Sequence, residues 1–297
     1  MAEETKKHRA GFVNILGNPN VGKSTLMNAL VGEKLSIITN KAQTTRHRIM
    51  GIVSGEDFQI VYSDTPGIIQ PNYKLQASMM SYIDNALIDA DVFLYMVEGN
   101  GSLKNPLVEE KLQKTAIPLI VLINKIDLSN QLEVVKNMGY WQDKYPKAEV
   151  IPVSAKENFN IEKVLDTIID KLPLSPAYYD KDEMTTKSER FFVGEIIREK
   201  ILLNYKKEIP YSVEVEVQSF KEEEHLIRIS SVIYVSRQSQ KGILIGHEGK
   251  MLKKVGTEAR IDMEEFFRKK VFLELYVKVK KDWRDNEGEL KKFGYLQ

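Results

Sequence analysis

The chain has 297 residues, which is enough for two domains with a sizeable hydrophobic core. Its formal net charge is +1, so any surface that attracts nucleic acid must be local. It contains no cysteine, which excludes disulfides and thiolate metal sites.

The N-terminal stretch Met1–Arg9 is polar and charged, and it lacks the apolar core of a signal peptide. No apolar run approaches the ~20 residues that a membrane-spanning helix needs. We therefore expect a cytoplasmic protein.

Residues 1–173 alternate apolar runs with amphipathic segments, which indicates an α/β domain with a mostly parallel sheet and helices on both faces. A first strand at Gly11–Leu16 leads through a Gly-rich turn into a helix. The next strands are predicted at Gln59–Tyr62, Val92–Val97, Pro118–Ile123 and Glu149–Val153. Helices are predicted near Leu75–Leu87, Pro106–Thr115, Leu132–Asp143 and Ile161–Leu172. Ligands of such sheets bind at the carboxyl ends of the strands.

The turn after the first strand, Gly17–Ser24, fits the phosphate-loop pattern G-x-x-x-x-G-K-S at every fixed position. Its glycines let backbone N–H groups converge on an anion, and the following helix adds its positive N-terminus. Lys23 would reach the β- and γ-phosphates, and the Ser24 hydroxyl would bind Mg²⁺. The predicted nucleotide-binding residues here are Gly17, Asn18, Pro19, Asn20, Val21, Gly22, Lys23, Ser24 and Thr25.

A second motif, Asp64-Thr65-Pro66-Gly67, ends the Gln59–Ser63 run. The Asp64 carboxylate can hold the Mg²⁺ shell through a water, and the Gly67 N–H can meet the γ-phosphate. A plain turn would also use Pro and Gly. The position of the motif, one strand from the phosphate loop, favours the functional interpretation.

Two motifs further along the chain indicate a guanine site. Asn124-Lys125-Ile126-Asp127 follows an apolar strand, and Asp127, as a buried carboxylate, can accept from the ring N–H and exocyclic amine of guanine. Adenine offers neither group there, so the carboxylate would discriminate between the bases. Asn124 can bond to the other edge of the base, and Lys125 can lie along its face. Ser154-Ala155-Lys156 can supply a backbone N–H to the guanine carbonyl.

In this order the four motifs resemble the G1, G3, G4 and G5 boxes of a translation-factor-class GTPase. The resemblance implies that the ligands are GTP or GDP with Mg²⁺, and it places switch I at Lys41–Arg48. It makes Thr45 the switch threonine, with Thr44 as the alternative, although a basic solvated loop would also explain the charge. The implied catalytic residues are Lys23, Thr45 and Gly67, and the implied Mg²⁺ ligands are Ser24, Thr45 and Asp64.

One position departs from the best-known GTPases. They carry a glutamine just after the D-x-x-G glycine to orient the attacking water, and this chain has Ile68. An aliphatic side chain cannot polarise water, so help must come from K⁺, from a partner group or from rearranged switches. Asn20 lies where similar potassium-dependent GTPases have an asparagine ligand, which makes it a candidate K⁺ ligand.

Residues 174–188 are rich in Pro, Ser, Thr and charge, and they are predicted to be a linker. The second domain, 189–297, is predicted to have the order α-β-β-α-α-β followed by a C-terminal tail. Its elements are predicted at Glu189–Tyr205, Tyr211–Val217, Leu226–Val235, Gln238–Ile245, a helix through about Phe267, and Val271–Val279, with a break at Lys221–His225 making the first two strands a hairpin.

The turn Gly246-His247-Glu248-Gly249 resembles the G-x-x-G loop of a KH RNA-binding domain, and the element order resembles the type II form. In KH domains this loop clamps single-stranded nucleic acid. Glu248 stands where many KH loops are basic, but Gly246–Lys281 carries ten Lys or Arg against six Asp or Glu, a net +4. A solvated amphipathic helix would also give that excess. The predicted RNA-binding residues are Gly242, Ile245, Gly246, His247, Glu248, Gly249, Lys250, Lys253 and Lys254.

A P-loop GTPase domain followed by a type II KH domain resembles the Era family of bacterial GTPases over nearly the whole chain. The resemblance implies GTP hydrolysis and binding of the 3′ end of 16S rRNA during maturation of the 30S ribosomal subunit. It also implies a monomer, with peripheral contact to the inner face of the cell membrane as an open point. Two alternatives are an RNA-binding scaffold with a nucleotide-locked G domain and a metabolic P-loop enzyme whose second domain binds a small substrate.

The guanine site makes the first testable prediction. Asp127→Asn should weaken GTP binding and favour xanthosine nucleotides, because their 2-oxo group accepts a hydrogen bond from the new amide. Competition binding between the two nucleotides measures this change. An unchanged preference for GTP in the variant would contradict the role of Asp127.

Overall fold

The computed structural model describes residues 8–99, 101, 103 and 106–296 of the chain. These residues form two compact units. The first unit contains the described residues up to Ile38, Thr45–Pro71 and Met79–Thr186, and the second contains Thr39–Thr44, Asn72–Ser78 and the described residues from Lys187 onward. Within the described ranges, no helix is both long and apolar enough to cross a bilayer.

The first unit is built on a six-stranded sheet with the order β2-β3-β1-β4-β5-β6. Its strands are β1 (Arg9–Gly17), β2 (Ile49–Ser54), β3 (Phe58–Asp64), β4 (Val92–Val97), β5 (Leu119–Ile123) and β6 (Glu149–Pro152). All neighbours pair in parallel except β2 and β3. The helices of this part of the chain are α1 (Lys23–Val31), α2 (Lys74–Ile88), α3 (Pro106–Lys114), α4 (Gln131–Lys144) and α5 (Ile161–Lys171). The predicted mostly parallel sheet is confirmed.

The central strands are covered on both faces. Every residue of β4 and β5 is buried, as expected for strands between two helical layers. On one face, side chains of these strands pack against Ile68, Ile83 and Trp141. The indole of Trp141 is fully buried, and its Nε1 donates to Gly99 O at 2.7 Å. A satisfied indole N–H lets this large side chain fill the core without losing a hydrogen bond.

The sequence patterns do not predict β2. Ile49–Ser54 lacks both strict alternation and a continuous apolar run, and Gly51 interrupts it. In the structure, β2 is an edge strand whose partner β3 lies in antiparallel register, from Ile49 opposite Asp64 to Ser54 opposite Gln59. Pairing with a neighbouring strand, which local patterns do not record, makes this segment a strand.

The segment predicted as a linker is tied to the first unit as far as Thr185. The buried side chain of Gln59 accepts from Tyr178 N at 2.7 Å and donates to Tyr179 O at 2.8 Å. Ile52 N donates to Met184 O at 2.8 Å. This stretch therefore has the composition of a linker, rich in Pro, Ser and charged residues, but its backbone is hydrogen-bonded to residues of β2 and β3.

The second unit has a three-stranded sheet with the order β7-β8-β9. Its elements in chain order are α6 (Glu189–Asn204), α7 (Ile209–Ser212), β7 (Glu214–Glu222), β8 (Leu226–Val235), α8 (Gln238–Ile245), α9 (Lys250–Phe267), β9 (Lys270–Val279) and α10 (Glu287–Lys292). The β7–β8 pair is antiparallel, and β9 adds to β8 in parallel. One core joins α6, α9 and the sheet through buried residues such as Ile197, Ile233 and Met263.

The prediction that a strand begins at Tyr211 is wrong. Residues Ile209–Ser212 form one helical turn with Pro210 in its first positions, and the strand begins only at Glu214. The Ser212 hydroxyl donates to Glu208 O at 2.8 Å and closes the turn. Proline fits the start of a helix because its fixed φ is helical and no N–H is needed there.

The buried position of Ile68 leads to a prediction about stability. Its side chain is fully buried in the first unit. Ile68→Gln should therefore lower the unfolding free energy of this unit by about 3 kcal/mol, because an amide replaces apolar contacts and lacks a hydrogen-bond partner. Hydrogen exchange of the β4 and β5 amides measures this quantity.

The matched control is Ile88→Gln, because Ile88 is 81% exposed at the end of α2. It should change the unfolding free energy by less than about 0.5 kcal/mol. Equal effects of the two substitutions would contradict the core position of Ile68.

Candidate functional site in the nucleotide loop and a second site on the KH-like unit

The loop after β1 needs glycine at both fixed glycine positions of its motif because its backbone approaches other loops closely. A Cβ on Gly17 would lie 2.4 Å from Met96 O, and one on Gly22 would lie 2.3 Å from Asn124 Nδ2. Gly22 also has φ 101°, in the left-handed region, where it forms the N-cap of α1. The loop is therefore a tight turn whose last residue points the N-terminus of α1 into the site.

Lys23 is buried at the first position of α1, and its exposed fraction is 6%. Its Nζ donates to Gly17 O at 3.2 Å and to Asn18 O at 3.0 Å, so the loop carbonyls hold the ammonium. Burial lowers the pKa of Lys23 to about 8, and the charge of Asp64 opposes that decrease. A partly desolvated cation held in this way interacts strongly with a polyphosphate.

Three predicted Mg²⁺ ligands lie together at the carboxyl end of β3. Asp64 Oδ2 accepts from Ser24 Oγ at 2.7 Å and from Thr45 Oγ1 at 3.3 Å, and the two hydroxyls lie 2.9 Å apart. Thr44 does not join them, because its Oγ1 donates to Lys41 O at 2.6 Å. Burial raises the pKa of Asp64, while Lys23 and the hydroxyl donors lower it. The geometry favours Thr45 over Thr44 as the switch threonine.

The donor set of this cluster fits Mg²⁺. Among the described residues, the buried Asp64 Oδ1 has no hydrogen-bond partner, so this oxygen remains an available acceptor beside two hydroxyls. Within the described part of the chain, no group of three or more His, Cys, Asp or Glu side chains could hold a metal ion. Mg²⁺ does not need such a group, because it keeps waters and binds one carboxylate together with substrate phosphates.

Gly67 lies against the phosphate loop. A Cβ on Gly67 would be 2.7 Å from Pro19 Cα, and the next residue, Ile68, donates its N–H to Gly17 O at 3.2 Å. On the other side of the motif, Thr65 Oγ1 donates to Ile15 O at 2.7 Å. These contacts hold the Asp64–Gly67 motif beside the loop, as its predicted role requires.

The residues of the predicted guanine site come together, but two of them have other contacts than expected. Asn124 Nδ2 donates to Val21 O at 2.8 Å, and its Oδ1 accepts from Ala155 N at 2.9 Å. Asn124 thus joins the phosphate loop to the Ser154–Lys156 loop, and of the three backbone N–H groups considered for guanine, that of Ala155 is bonded to Asn124. Asp127 is exposed rather than buried, because it follows the strand at the rim of the sheet. Its Oδ1 accepts from Ser154 Oγ at 2.6 Å.

The remaining first-unit residues lie at the rim of the site. Lys125 has φ 64°, and its Nζ pairs with Glu98 at 2.7 Å. Lys156 is exposed and pairs with Glu157 at 3.0 Å. Asn20 is exposed with φ 65°, and its role as a K⁺ ligand stays a prediction.

The Gly246–Gly249 turn has the shape of a clamp loop. Gly246 and Gly249 have φ 72° and 75°, and Gly249 N donates to Gly246 O at 3.2 Å. A Cβ on Gly246 would lie 2.8 Å from Met251 Cβ, whereas one on Gly249 would meet nothing within 4 Å. Glu248 pairs with Lys250 at 2.9 Å, which offsets its negative charge within the loop. The space beside Gly249 is therefore open to a ligand that approaches the turn, and α9 begins directly after this residue.

A groove of about 370 Å³ begins at Gly249 and runs between α9 and β9. Its three leucines make an apolar part, which we call the floor, and its lysine, threonine and arginine make a polar part, which we call the rim. Its lining residues are Gly249, Leu252, Lys253, Gly256, Thr257, Arg260, Leu273 and Leu275.

Sequence reasoning found only Gly249 and Lys253 of the groove lining. It missed the apolar floor, because Leu273 and Leu275 alternate along β9 like ordinary core residues. The glycine at position 256 was an available signal, since a mid-helix glycine seven residues after Gly249 leaves room on the same helix face. The other seven predicted RNA-binding residues are not part of the groove lining. Among them, Gly242 is within α8, and Ile245 packs against the core.

Comparison with protein families gives two matches. A family described as a 50S ribosome-binding GTPase matches residues 12–125, and the KH domain family matches residues 208–284. The GTPase Era of Syntrophus aciditrophicus (strain SB) is 46% identical over 292 residues, covering 97% of this chain and 95% of the relative. The chloroplastic GTPase ERA1 of Zea mays is 44% identical over 299 residues, covering 97% and 71%.

Two solved structures are similar over almost the whole chain. One is Era in complex with MgGDPNP and nucleotides 1506–1542 of 16S ribosomal RNA, with a TM-score of 0.93, 35% identity, and coverage of 98% of this chain and 100% of that one. The other is a variant of Aquifex aeolicus Era bound to GDP·AlF4⁻, with a TM-score of 0.91, 36% identity, and coverage of 97% and 100%.

The lowered pKa of Lys23 predicts proton uptake on nucleotide binding. Below pH 8 the nucleotide-free protein holds an unfavourable buried ammonium, and this penalty on stability disappears as the pH rises from about 8 to the unfolded value of 10.5. Phosphates stabilise the ammonium, so binding raises its pKa again, and affinity should fall as the pH rises above 8.

Calorimetry in two buffers of different ionisation enthalpy measures this effect. GTP binding should take up a fraction of one proton at pH 8.5 and almost none at pH 6.5. Equal proton uptake at the two pH values would contradict the shifted pKa of Lys23.

Proposed function

The chain belongs to the Era family of GTPases, and we propose that its second unit binds the 3′ region of 16S rRNA during maturation of the small ribosomal subunit. The predicted fold class and the predicted GTPase activity are confirmed by the family matches and by the similar structures with bound nucleotide. The observation that carries the RNA proposal is the basic-rimmed groove that opens at Gly249.

In the first unit, the chain's own groups position and stabilise the phosphates. Lys23 and the N-terminus of α1 present positive charge to the β- and γ-phosphates. Ser24, Thr45 and Asp64 would hold Mg²⁺, which would supply positive charge to offset the negative charge of the phosphates. The Gly67 N–H lies beside the phosphate loop, where it can donate to the γ-phosphate. Ile68, packed in the core, does not orient water, so the water-positioning group is supplied from another position.

In the second unit, the groove has the chemistry of a single-strand site. Leu252, Leu273 and Leu275 offer apolar contact to the faces of unstacked bases. Lys253 and Arg260 lie at the rim, where phosphates of the strand would pass. A groove of this volume accommodates individual bases and excludes a duplex, whose bases are already stacked and paired.

The two activities are coupled in the proposal through linkage. Nucleotide state can change RNA affinity only if RNA prefers one switch conformation over the other, and the coupling free energy is then the same in both directions. GTP binding would tune RNA affinity, and hydrolysis would release the RNA.

Three features of the proposal rest on the family resemblance alone: action on the 30S subunit, a monomeric state and peripheral membrane contact. Cytoplasmic location is expected from the sequence, and K⁺-assisted hydrolysis is expected from Asn20. All five stay predictions.

The test of the whole function is GTP turnover with and without a single-stranded fragment that matches the 3′ end of 16S rRNA. The proposed function predicts RNA binding together with a nucleotide-dependent change in affinity. A scaffold with a locked G domain would bind GTP without turnover, and a metabolic enzyme would not bind the RNA.

Gly249 gives a sharper prediction for the groove. Gly249→Asp should reduce RNA affinity at least tenfold, because it adds negative charge at the open approach to the turn. GTP binding by the first unit should be unchanged. Gly249→Asn is the matched control, since both side chains tolerate positive φ and only one is charged. Fluorescence anisotropy with the labelled fragment measures both variants, and equal RNA affinity of the parent and the Asp variant would contradict the groove assignment.

The two lysines of α9 should differ in their effects. Lys253 lines the groove, whereas Lys254 pairs with Glu258 at 3.8 Å outside the groove lining. Lys253→Ala should therefore flatten the dependence of log affinity on log salt concentration by about 0.7, the value for one lost contact to a single strand. Lys254→Ala should leave the slope nearly unchanged. Titrations at several salt concentrations give both slopes, and identical slopes would contradict the placement of the RNA along the groove.

A further inference from the structure

Arg48 has an unusually complete set of partners for a residue at the end of switch I. Its Nε donates to Ser63 Oγ at 2.6 Å. Its two terminal nitrogens donate to the two oxygens of Asp89, Nη1 to Oδ2 at 2.6 Å and Nη2 to Oδ1 at 2.9 Å, and Nη2 also reaches Asn14 Oδ1 at 3.0 Å. The basic stretch Lys41–Arg48 therefore ends in an anchored side chain and not in a solvated one.

The partners of Arg48 are themselves fixed. Asn14 and Ser63 are fully buried and lie opposite each other on β1 and β3. Asn14 Nδ2 donates to Ala86 O at 2.6 Å and to Asp89 Oδ1 at 2.8 Å, so it holds the end of α2 as well. The side chain of Arg48 is 10% exposed and that of Asp89 is 41% exposed, so the carboxylate stays partly solvated. The contacts of Arg48 with Ser63 and Asn14 are the more buried ones and complete the anchor.

The position of this anchor in the chain relates it to the Mg²⁺ site. Arg48 follows Thr45 by three residues and directly precedes β2. Ser63 directly precedes Asp64, and Asp89 directly follows α2. One guanidinium thus joins the C-terminal end of switch I to the residue before Asp64 and to the end of the helix that follows the Asp64–Gly67 motif.

We propose that Arg48 is a positioning residue for GTP hydrolysis, which holds the end of switch I so that the Thr45 hydroxyl stays close to Ser24 and Asp64. Three residues span at most about 11 Å, so an anchored Arg48 gives a fixed point from which Thr45 Cα cannot lie farther than that distance. Without the anchor, ordering this segment costs conformational entropy at each residue. That entropic cost then weakens Mg²⁺ and GTP binding, because binding of these ligands must order the segment.

The geometry explains why the residue is arginine. Only a guanidinium offers a planar fork for a bidentate carboxylate contact together with a further donor for Ser63. A lysine at position 48 would keep the positive charge but would reach only part of this set of acceptors. Arg48→Lys therefore removes the fork while the charge of the segment is unchanged.

The inference rests on the Mg²⁺ role proposed for Thr45, and the experiment tests the two separately. Arg48→Lys, Asp89→Asn and Thr45→Ala are compared in the full chain by GTP turnover as a function of Mg²⁺ concentration. GDP affinity and melting temperature are measured beside turnover. Asp84→Asn is the matched control, because it removes a carboxylate from α2 that makes only an exposed ion pair with Lys111 at 3.3 Å.

The Mg²⁺ concentration for half-maximal turnover should rise about tenfold in Arg48→Lys and in Asp89→Asn, which corresponds to losing one good charge-assisted contact. The double variant that combines Arg48→Lys with Asp89→Asn should need no more Mg²⁺ than the more affected of the two single variants, because both substitutions break the contact between Arg48 and Asp89. GDP affinity should change less than twofold, since GDP lacks the γ-phosphate that orders switch I. Asp84→Asn should resemble the parent protein.

Three results would overturn the proposal. If the Mg²⁺ requirement rises in Thr45→Ala but is unchanged in Arg48→Lys, Arg48 has no positioning role, while the assignment of Thr45 stands. Equal losses of GTP and GDP affinity, with a lower melting temperature, would show a purely structural ion pair. An unchanged Mg²⁺ requirement in Thr45→Ala would overturn both the assignment of Thr45 and the role of Arg48 that depends on it.

Discussion

The nucleotide site depends on two buried charges of opposite sign, the Lys23 ammonium and the Asp64 carboxylate. Removing either charge from water is costly, and each one shifts the pKa of the other against that cost. Loop carbonyls solvate Lys23, while hydroxyls of Ser24 and Thr45 solvate one oxygen of Asp64, and the other carboxylate oxygen has no hydrogen-bond partner among the described residues. In the proposed function, a polyphosphate with Mg²⁺ would supply further partners for both charges. The strands β1 and β3 are neighbours in the sheet, and that pairing brings the two charges together.

The two units use the same backbone device for two phosphate-bearing ligands. In each, a glycine with positive φ forms the N-cap of a helix, Gly22 before α1 and Gly249 before α9. In the proposed function, each turn would expose its backbone to the ligand at the N-terminus of the helix that follows. The two units differ in the side chains beside the turn. The first unit has the buried charges of Lys23 and Asp64, which suit a polyphosphate, whereas the second has the apolar floor of its groove, which suits bases.

The motifs that depend on short spacing could be predicted because their chemistry is local. Each of these motifs needs a fixed number of residues between the groups predicted to touch the ligand, so the local amino-acid sequence is enough to recognise it. They are the phosphate loop, Asp64–Gly67 and Gly246–Gly249. Partnerships over long distances could not be predicted in this way. Asn124 was expected at the base edge, yet its amide joins two loops, and Asp127 was expected to be buried, yet it lies exposed at the rim. β2 and the contacts of Gln59 were missed for the same reason, since both are defined by distant partners.

By itself, the sequence determined the order of the two domains and the type of each ligand, because turn chemistry and strand–helix alternation depend on residues that are close together in the chain. It also predicted which residues surround the phosphates. Only the tertiary structure decided which of two adjacent threonines meets Asp64, since both have the same chemistry and differ only in the direction of their hydroxyls. It also decided that Arg48 is anchored rather than solvated, because Asn14, Ser63 and Asp89 come together only when β1, β3 and α2 are packed.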